Sequence, residues 1–211
     1  MTKFLPIFPL GTVVYPGQEL NLHIFEPRYK QLIKECSEEN KTFGIPSVFK
    51  ESLNEYGTEM ELTEIFKVYP NGEMDIRARG LMAFRIVEVL REVPDKLYSA
   101  AVVFEIENKL PDTAVLNPTL VDLLEQLHKL LGAGFDLYKR FKNPTSYDVV
   151  HYIALSEEDK YRLLTAPSEI GRQWFMIKHL QKLIPSVEET ERVKSKILLN
   201  GHFRREIPPA F

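Results

Sequence analysis

The sequence contains one cysteine, Cys36, among 211 residues, which excludes an intramolecular disulfide framework and any cysteine-rich zinc site. Long apolar runs are also missing. No stretch approaches the roughly 20 residues that a membrane-spanning helix needs. The N-terminal apolar stretch is broken by Pro6, Pro9 and Pro16 and makes a poor secretory signal. The expectation is a soluble, cytoplasmic chain with no membrane partner. Positive charge is not in excess either. Lys and Arg number 27 against 30 Asp and Glu, a formal charge of −3. Proteins that wrap nucleic acid usually carry the opposite sign, so nucleic acid is disfavoured as a partner.

Catalytic signatures are absent as well. There is no Gly-x4-Gly-Lys-Ser/Thr phosphate loop, no Gly-x-Ser-x-Gly elbow and no Gly-x-Gly-x-x-Gly turn. His23, His128, His151, His179 and His202 never fall in a His-x3-His pair, so no metal and no cofactor is expected. Ser195 and Lys196 are sequence neighbours on a helix, where adjacent residues do not face each other. Glu157, Glu158 and Asp159 stand at a helix start, where the helix dipole accounts for them.

What is present is an ordinary globular composition, 44% apolar and 27% charged. The two halves follow different periods. Residues 18–25 alternate, with Leu20, Leu22 and Ile24 on one face and Glu19, Asn21 and His23 on the other. Residues 61–69 read as a strand, Pro70-Asn71-Gly72 as a hairpin turn, and residues 74–78 as the returning strand. Residues 84–90 and 98–106 continue the pattern, the last with Ala100, Val102, Phe104 and Ile106 on one face. One helix interrupts them. Pro27 occupies its first position, and Tyr29, Leu32, Ile33 and Cys36 form an apolar stripe. Cys36 on that stripe reads as a small buried hydrophobe.

After Asn117 the period becomes 3.6. Asn117-Pro118 starts a helix carrying Leu120, Leu124, Leu127 and Leu131, which Gly132 and Gly134 end. Ser156 with Asp159 resembles a capping box leading to Tyr161, Leu163 and Leu164. Ser168 starts a helix with Ile170, Trp174, Ile177 and Ile184 inward. Ser186 with Glu189 predicts a further helix, through Val193, Ile197 and Leu198. The expected architecture is α+β: a β domain over residues 1–110 with one inserted helix, a helical bundle over 111–200, and a flexible tail over 201–211.

The most specific string is Leu5-Pro6-Ile7-Phe8-Pro9-Leu10, then Val14-Tyr15-Pro16-Gly17, then Leu22-His23-Ile24-Phe25-Glu26-Pro27-Arg28-Tyr29. It resembles the opening of the Lon protease N-terminal (substrate-binding) domain, whose pattern runs roughly LPLFPL, VVLFPG, LPLHIFEPRY. The likeness continues at Phe43-Gly44, Gly57-Thr58, Gly80 and Phe84-Arg85-Ile86, and more weakly at Leu155-Ser156-Glu157-Glu158-Asp159-Lys160. It covers about residues 4 to 200. The chain departs from it at Asn21, where the family often has proline, and at Ala83, where it often has arginine. Full-length Lon proteases continue into ATPase and Ser-Lys protease modules that this sequence lacks, so the resemblance implies a stand-alone, non-enzymatic domain. The module also resembles the Lon-like part of cereblon, but one Cys and one Trp cannot supply that protein's zinc-bearing ligand domain.

The resemblance implies a PUA-like β pseudo-barrel followed by a helical bundle. It also implies recognition of unfolded or degron-bearing polypeptide, with a separate protease as a further partner. The signature residues read as mainly structural. Phe25 and Tyr29 are expected as buried anchors, Glu26 at the helix dipole, and Arg28 on a carbonyl or carboxylate. Pro9, Pro16, Gly17, Gly44 and Gly80 read as turn and close-approach positions, and His23 and Phe84 complete the set. A polypeptide site is expected on an exposed apolar surface or open strand edge at the junction of barrel and helices, with its lining residues unassigned. The basic cluster Lys139-Arg140-Phe141-Lys142 reads as a solvated loop. Two other classes stay open: a PUA-like nucleic-acid or nucleotide binder, disfavoured by charge, and an enzyme whose groups meet only in the fold.

Overall fold

The computed structural model describes residues 2–49, 52–108 and 116–201. Six antiparallel strands come first: β1 (Thr2–Pro6), β2 (Glu19–Ile24), β3 (Phe43–Phe49), β4 (Ser52–Val68), β5 (Met74–Leu90) and β6 (Ala100–Ile106), with helix α1 (Pro27–Glu39) between β2 and β3. The order across the sheet is β1-β6-β5-β4-β3, with β2 also on β5. Strand β5 organises the rest. Along one side it pairs with β4, from Val68 opposite Met74 to Tyr56 opposite Arg85. Its other side carries β2 over Met74 to Arg79 and then β6 over Ala83 to Leu90. Gly80 stands at the change of partner. The chain after β1 then bonds to β3, with the Phe8 amide 2.7 Å from the Gly44 carbonyl and the Val48 amide 2.7 Å from the Leu10 carbonyl. These bonds bring the two outer strands of the sheet together into a barrel-like closure.

Several sequence expectations change here. Residues 74–78 and 84–90 are one continuous strand, which stays paired with β4 across a register shift beside Gly80, where the missing Cβ lets the Tyr15 carbonyl approach. Strand β4 begins at Ser52, well before residue 61, and β1 and β3 add two strands that alternation did not reveal. Pairing with β3 extends the polar start of β4. On β6 the barrel interior takes Ala101 and Val103, while Phe104 is 46% exposed.

Helix α1 follows its sequence closely: Tyr29, Leu32, Ile33 and Cys36 are its buried residues, packed on Phe43, Ile45, Met60 and Ile76. Burial pushes the Cys36 thiol up to about 12, so it stays protonated and inert.

The helical part holds α2 (Pro118–Leu130), α3 (Leu137–Arg140), α4 (Ser146–Val149), a 3-10 turn (Val150–Tyr152), α5 (Glu157–Thr165) and α6 (Glu169–Gly201). Asn117 caps α2 through its side chain, which accepts the Thr119 amide at 2.9 Å. Ser156 caps α5 by accepting the Asp159 amide at 3.1 Å. Leu131 is exposed. Ser186 starts no helix, since α6 runs 33 residues through Pro185. Proline costs one hydrogen bond there, but Leu180 and Ile184 before it and Val187 after it pack on one core, and Gln126 of α2 donates to Glu188 at 3.1 Å. Ile170 and Trp174 point outward, 60% and 53% exposed. The inward phase of α6 opens on Glu169, Arg172 and Gln173, so an apolar-only stripe misplaces its first turns. The flexible tail expected over 201–211 lies outside the described residues, apart from Gly201 ending α6. None of the described helices is long and apolar enough to cross a membrane.

Candidate functional site

The signature segment turns strand β2 into helix α1. Ile24 takes the inward position at the strand end, so Phe25 must face out, and it is 58% exposed rather than an anchor. It packs over His23 at 6.3 Å between ring centroids. Tyr29 is the anchor, 6% exposed and 4.0 Å from the Phe8 ring. Glu26 sits at the α1 N-cap, yet its carboxylate does not cap the helix. It instead accepts Arg28 Nε at 2.9 Å and pairs with Nη2 at 2.7 Å, and the guanidinium lies 4.5 Å over the Tyr29 ring.

Pro9, Arg28 and Tyr29 meet at one groove of about 330 Å³, completed by Ile7, Val48, Leu53, Val89, Arg91 and Ser99. Ile7 is buried at its floor, while Leu53 and Val89 are exposed large hydrophobics. Five short segments contribute: the β1–β3 closure, the α1 start, the β3–β4 hairpin, the end of β5 and the approach to β6. Sequence reasoning found Pro9, Arg28 and Tyr29 but missed Leu53, Val89, Arg91 and Ser99. Nothing local marks them, because only the barrel closure brings them together.

Pro16 and Gly17 line a second cleft of about 310 Å³, at the junction of barrel and helices, opposite Phe141, Tyr147, Asp148 and His151. Its groups are largely occupied in joining the two parts. Tyr15 stacks on Tyr147 at 5.5 Å and donates its hydroxyl to the Lys160 carbonyl at 3.0 Å. Asp148 accepts the Thr145 amide and hydroxyl. Burial, with Lys160 adding to it, lowers His151 and keeps it neutral. Gly44, Gly80 and Phe84 lie elsewhere, inside the barrel: the Phe84 ring is 1% exposed and rests where a Cβ on Gly44 would sit. Of the basic cluster, Lys139 pairs with Asp136 at 2.9 Å and Phe141 packs on the helical core.

His23 is placed on the outer sheet face between two carboxylates. Its Nδ1 is 2.6 Å from Asp75 Oδ1 and its Nε2 3.3 Å from Glu73, while Tyr69 donates to Asp75 at 2.8 Å. The Asp75 hydrogen bond raises the imidazole above its ordinary value. The resulting stability is fully present below the unfolded-state value, about 6.5, and is lost as pH rises through the folded one. An NMR titration is expected to place His23 above 6.5 in the native protein, and Asp75→Asn to bring it back down. Among the described residues no three His, Cys, Asp or Glu gather into a possible metal site.

The family model of the ATP-dependent protease La (LON) substrate-binding domain matches residues 4–182. The chain belongs to the Lon substrate-binding domain family. A Lon N-terminal domain protein from Xanthomonas campestris has a similar structure, with 26% identity and a TM-score of 0.61 over 82% of this chain and 95% of that one. The N-terminal domain of a Mycobacterium avium complex Lon protease aligns at 12% identity with a TM-score of 0.49, over 89% and 98% of the two chains. The family match and the Xanthomonas campestris structure agree with the α+β fold described above, an antiparallel sheet followed by helices, and the match is to the substrate-binding part of the protease.

Proposed function

We propose that this chain is a non-enzymatic polypeptide-binding module, an adaptor or chaperone-like receptor for apolar segments of unfolded or degron-bearing proteins, able to work with a separate protease. The observation that carries this reading is the groove beside the signature segment, where Leu53 and Val89 stay exposed above a buried apolar floor. Exposed apolar side chains around a concavity are what an unfolded segment needs, since they lose water only when it docks. Membership in a substrate-binding family supports the same reading. The junction cleft is the weaker place for it, because Tyr147 and His151 already pack on Tyr15 and Asp148 accepts from Thr145. Nucleic acid is not proposed, as the net charge is −3 and Lys139 already has an acidic partner.

Binding of a permanently unfolded, fluorescently labelled client protein tests the reading. Leu53→Asp is expected to weaken it at least tenfold, about 1.4 kcal/mol, by placing a charge in the apolar groove. Because Leu53 is exposed, the variant should melt like the parent. Unchanged affinity would move the site elsewhere, and a parent protein that binds no unfolded client would overturn the function.

A further inference from the structure

We propose that this groove recognises a chain end, taking the C-terminal carboxylate of an apolar segment on Arg91. The inference rests on the polypeptide-binding reading and narrows it to one substrate class.

Two guanidinium groups line the groove, and they differ in what they have to do. Arg28 is committed, bonded to Glu26 and stacked on Tyr29. Arg91 is exposed, and its guanidinium has no hydrogen bond or ion pair among the described residues. Its backbone is nonetheless fixed, because Ser99 Oγ donates to the Arg91 carbonyl at 2.9 Å just beyond the end of β5. Among the described residues lining the groove there is no carboxylate to compete for that cation. The walls beside it are aliphatic, with Leu53 on β4 and Val89 on the neighbouring β5. The ligand that complements this arrangement carries a negative charge at one end of an apolar body.

Size selects the form of that ligand. About 330 Å³ is near the lower end of small-ligand clefts, ~300–1,000 Å³, and suits a chain end better than a long strand running through. A terminal carboxylate also offers two oxygens to the planar fork of an arginine, which favours the paired geometry over a point contact. Its adjoining side chains can then enter between Leu53 and Val89.

The test uses one Leu- and Val-rich, otherwise uncharged octapeptide in two forms, free acid and C-terminal amide, titrated into the full chain by fluorescence anisotropy. The acid is expected to bind at least tenfold more tightly than the amide. Arg91→Gln should weaken the acid to the level of the amide and leave the amide unchanged, which also shows that the groove is intact in the variant. Equal binding of acid and amide to the parent would overturn the chain-end inference while the polypeptide reading stands. A preference that survives in Arg91→Gln would overturn the assignment to this groove. Failure of both forms, together with failure of an unfolded client, would remove the underlying reading as well.

Discussion

Replacing Glu169 by alanine is expected to destabilise the protein by about 3–5 kcal/mol, because it strands a buried charge. Glu169 and Arg172 are both 2% exposed, one turn apart at the start of α6. The carboxylate accepts the Ser146 amide and hydroxyl at 2.7 Å each, and Arg172 and Gln173 at 2.9 Å each. Arg172 also donates to the Ala166 carbonyl, the Ser146 hydroxyl and Asn108, and lies 4.3 Å over the Tyr147 ring. Removing the carboxylate leaves the buried guanidinium without its counter-charge. In thermal unfolding a chain of this length should lose roughly 6–20 °C. The double replacement of Glu169 and Arg172 by methionine should recover much of that loss, since it removes both charges together. If Glu169→Ala melts within 2 °C of the parent, the network is not what holds α4 to α6.

The same carboxylate gives an acid-side pH dependence. Burial alone would raise it, but hydrogen bonds from Gln173, Ser146 and Arg172 outweigh burial and hold it below the usual carboxylate range. A depressed carboxylate adds stability above its unfolded-state value, and that stability is lost as pH falls through the folded one. Acid unfolding of the parent should therefore be steeper than that of the double methionine variant.

Gly80→Ala should cost about 3 kcal/mol, the upper part of the range for overpacking. A Cβ there would lie 2.3 Å from the Tyr15 carbonyl oxygen. That oxygen is backbone and cannot swing away. It is held in place because Gly80 itself donates to the Gln18 carbonyl at 2.9 Å and accepts the Gly17 amide at 2.8 Å. Those bonds tie the chain before β2 onto β5 at the point where β5 changes partners, so relieving the clash loosens the barrel. Gly134 is the control. No atom lies within 4 Å of a Cβ built there and its backbone angle is ordinary, so Gly134→Ala should be neutral or gain about 0.4–1 kcal/mol through the unfolded chain. Urea unfolding separates the two, and equal midpoints would refute the close-packing role of Gly80.

Much of this fold could be read locally. Helix α1 was legible because its whole stripe is apolar and its first position is proline. The starts of α2 and α5 were legible because Asn117 and Ser156 cap through their own side chains, an interaction spanning two or three residues. Failures came where a partner distant in sequence decides. Phe25 reads as an anchor, but pairing of β2 with β5 sets Ile24 opposite Met74 on the inward face and leaves Phe25 outside. Ile170 and Trp174 looked inward because apolar spacing cannot see that Glu169 and Arg172 bury themselves against Ser146 and Tyr147. Ser186 carried a capping signal that α6 overrides by packing on both sides of Pro185.

The family signature, and with it the barrel-then-helices order, is a property of the sequence itself, since it depends on turn prolines, close-approach glycines and apolar periods that act over a few residues. The groove is not. Ile7, Arg28, Leu53, Val89 and Arg91 meet only because the chain after β1 closes onto β3 and β5 changes partner from β2 to β6 past Gly80. Arg28 finds its partner two residues away in Glu26, a local pairing, whereas the tertiary structure alone decides that Arg91, without a partner among the described residues, stands beside Leu53 and Val89.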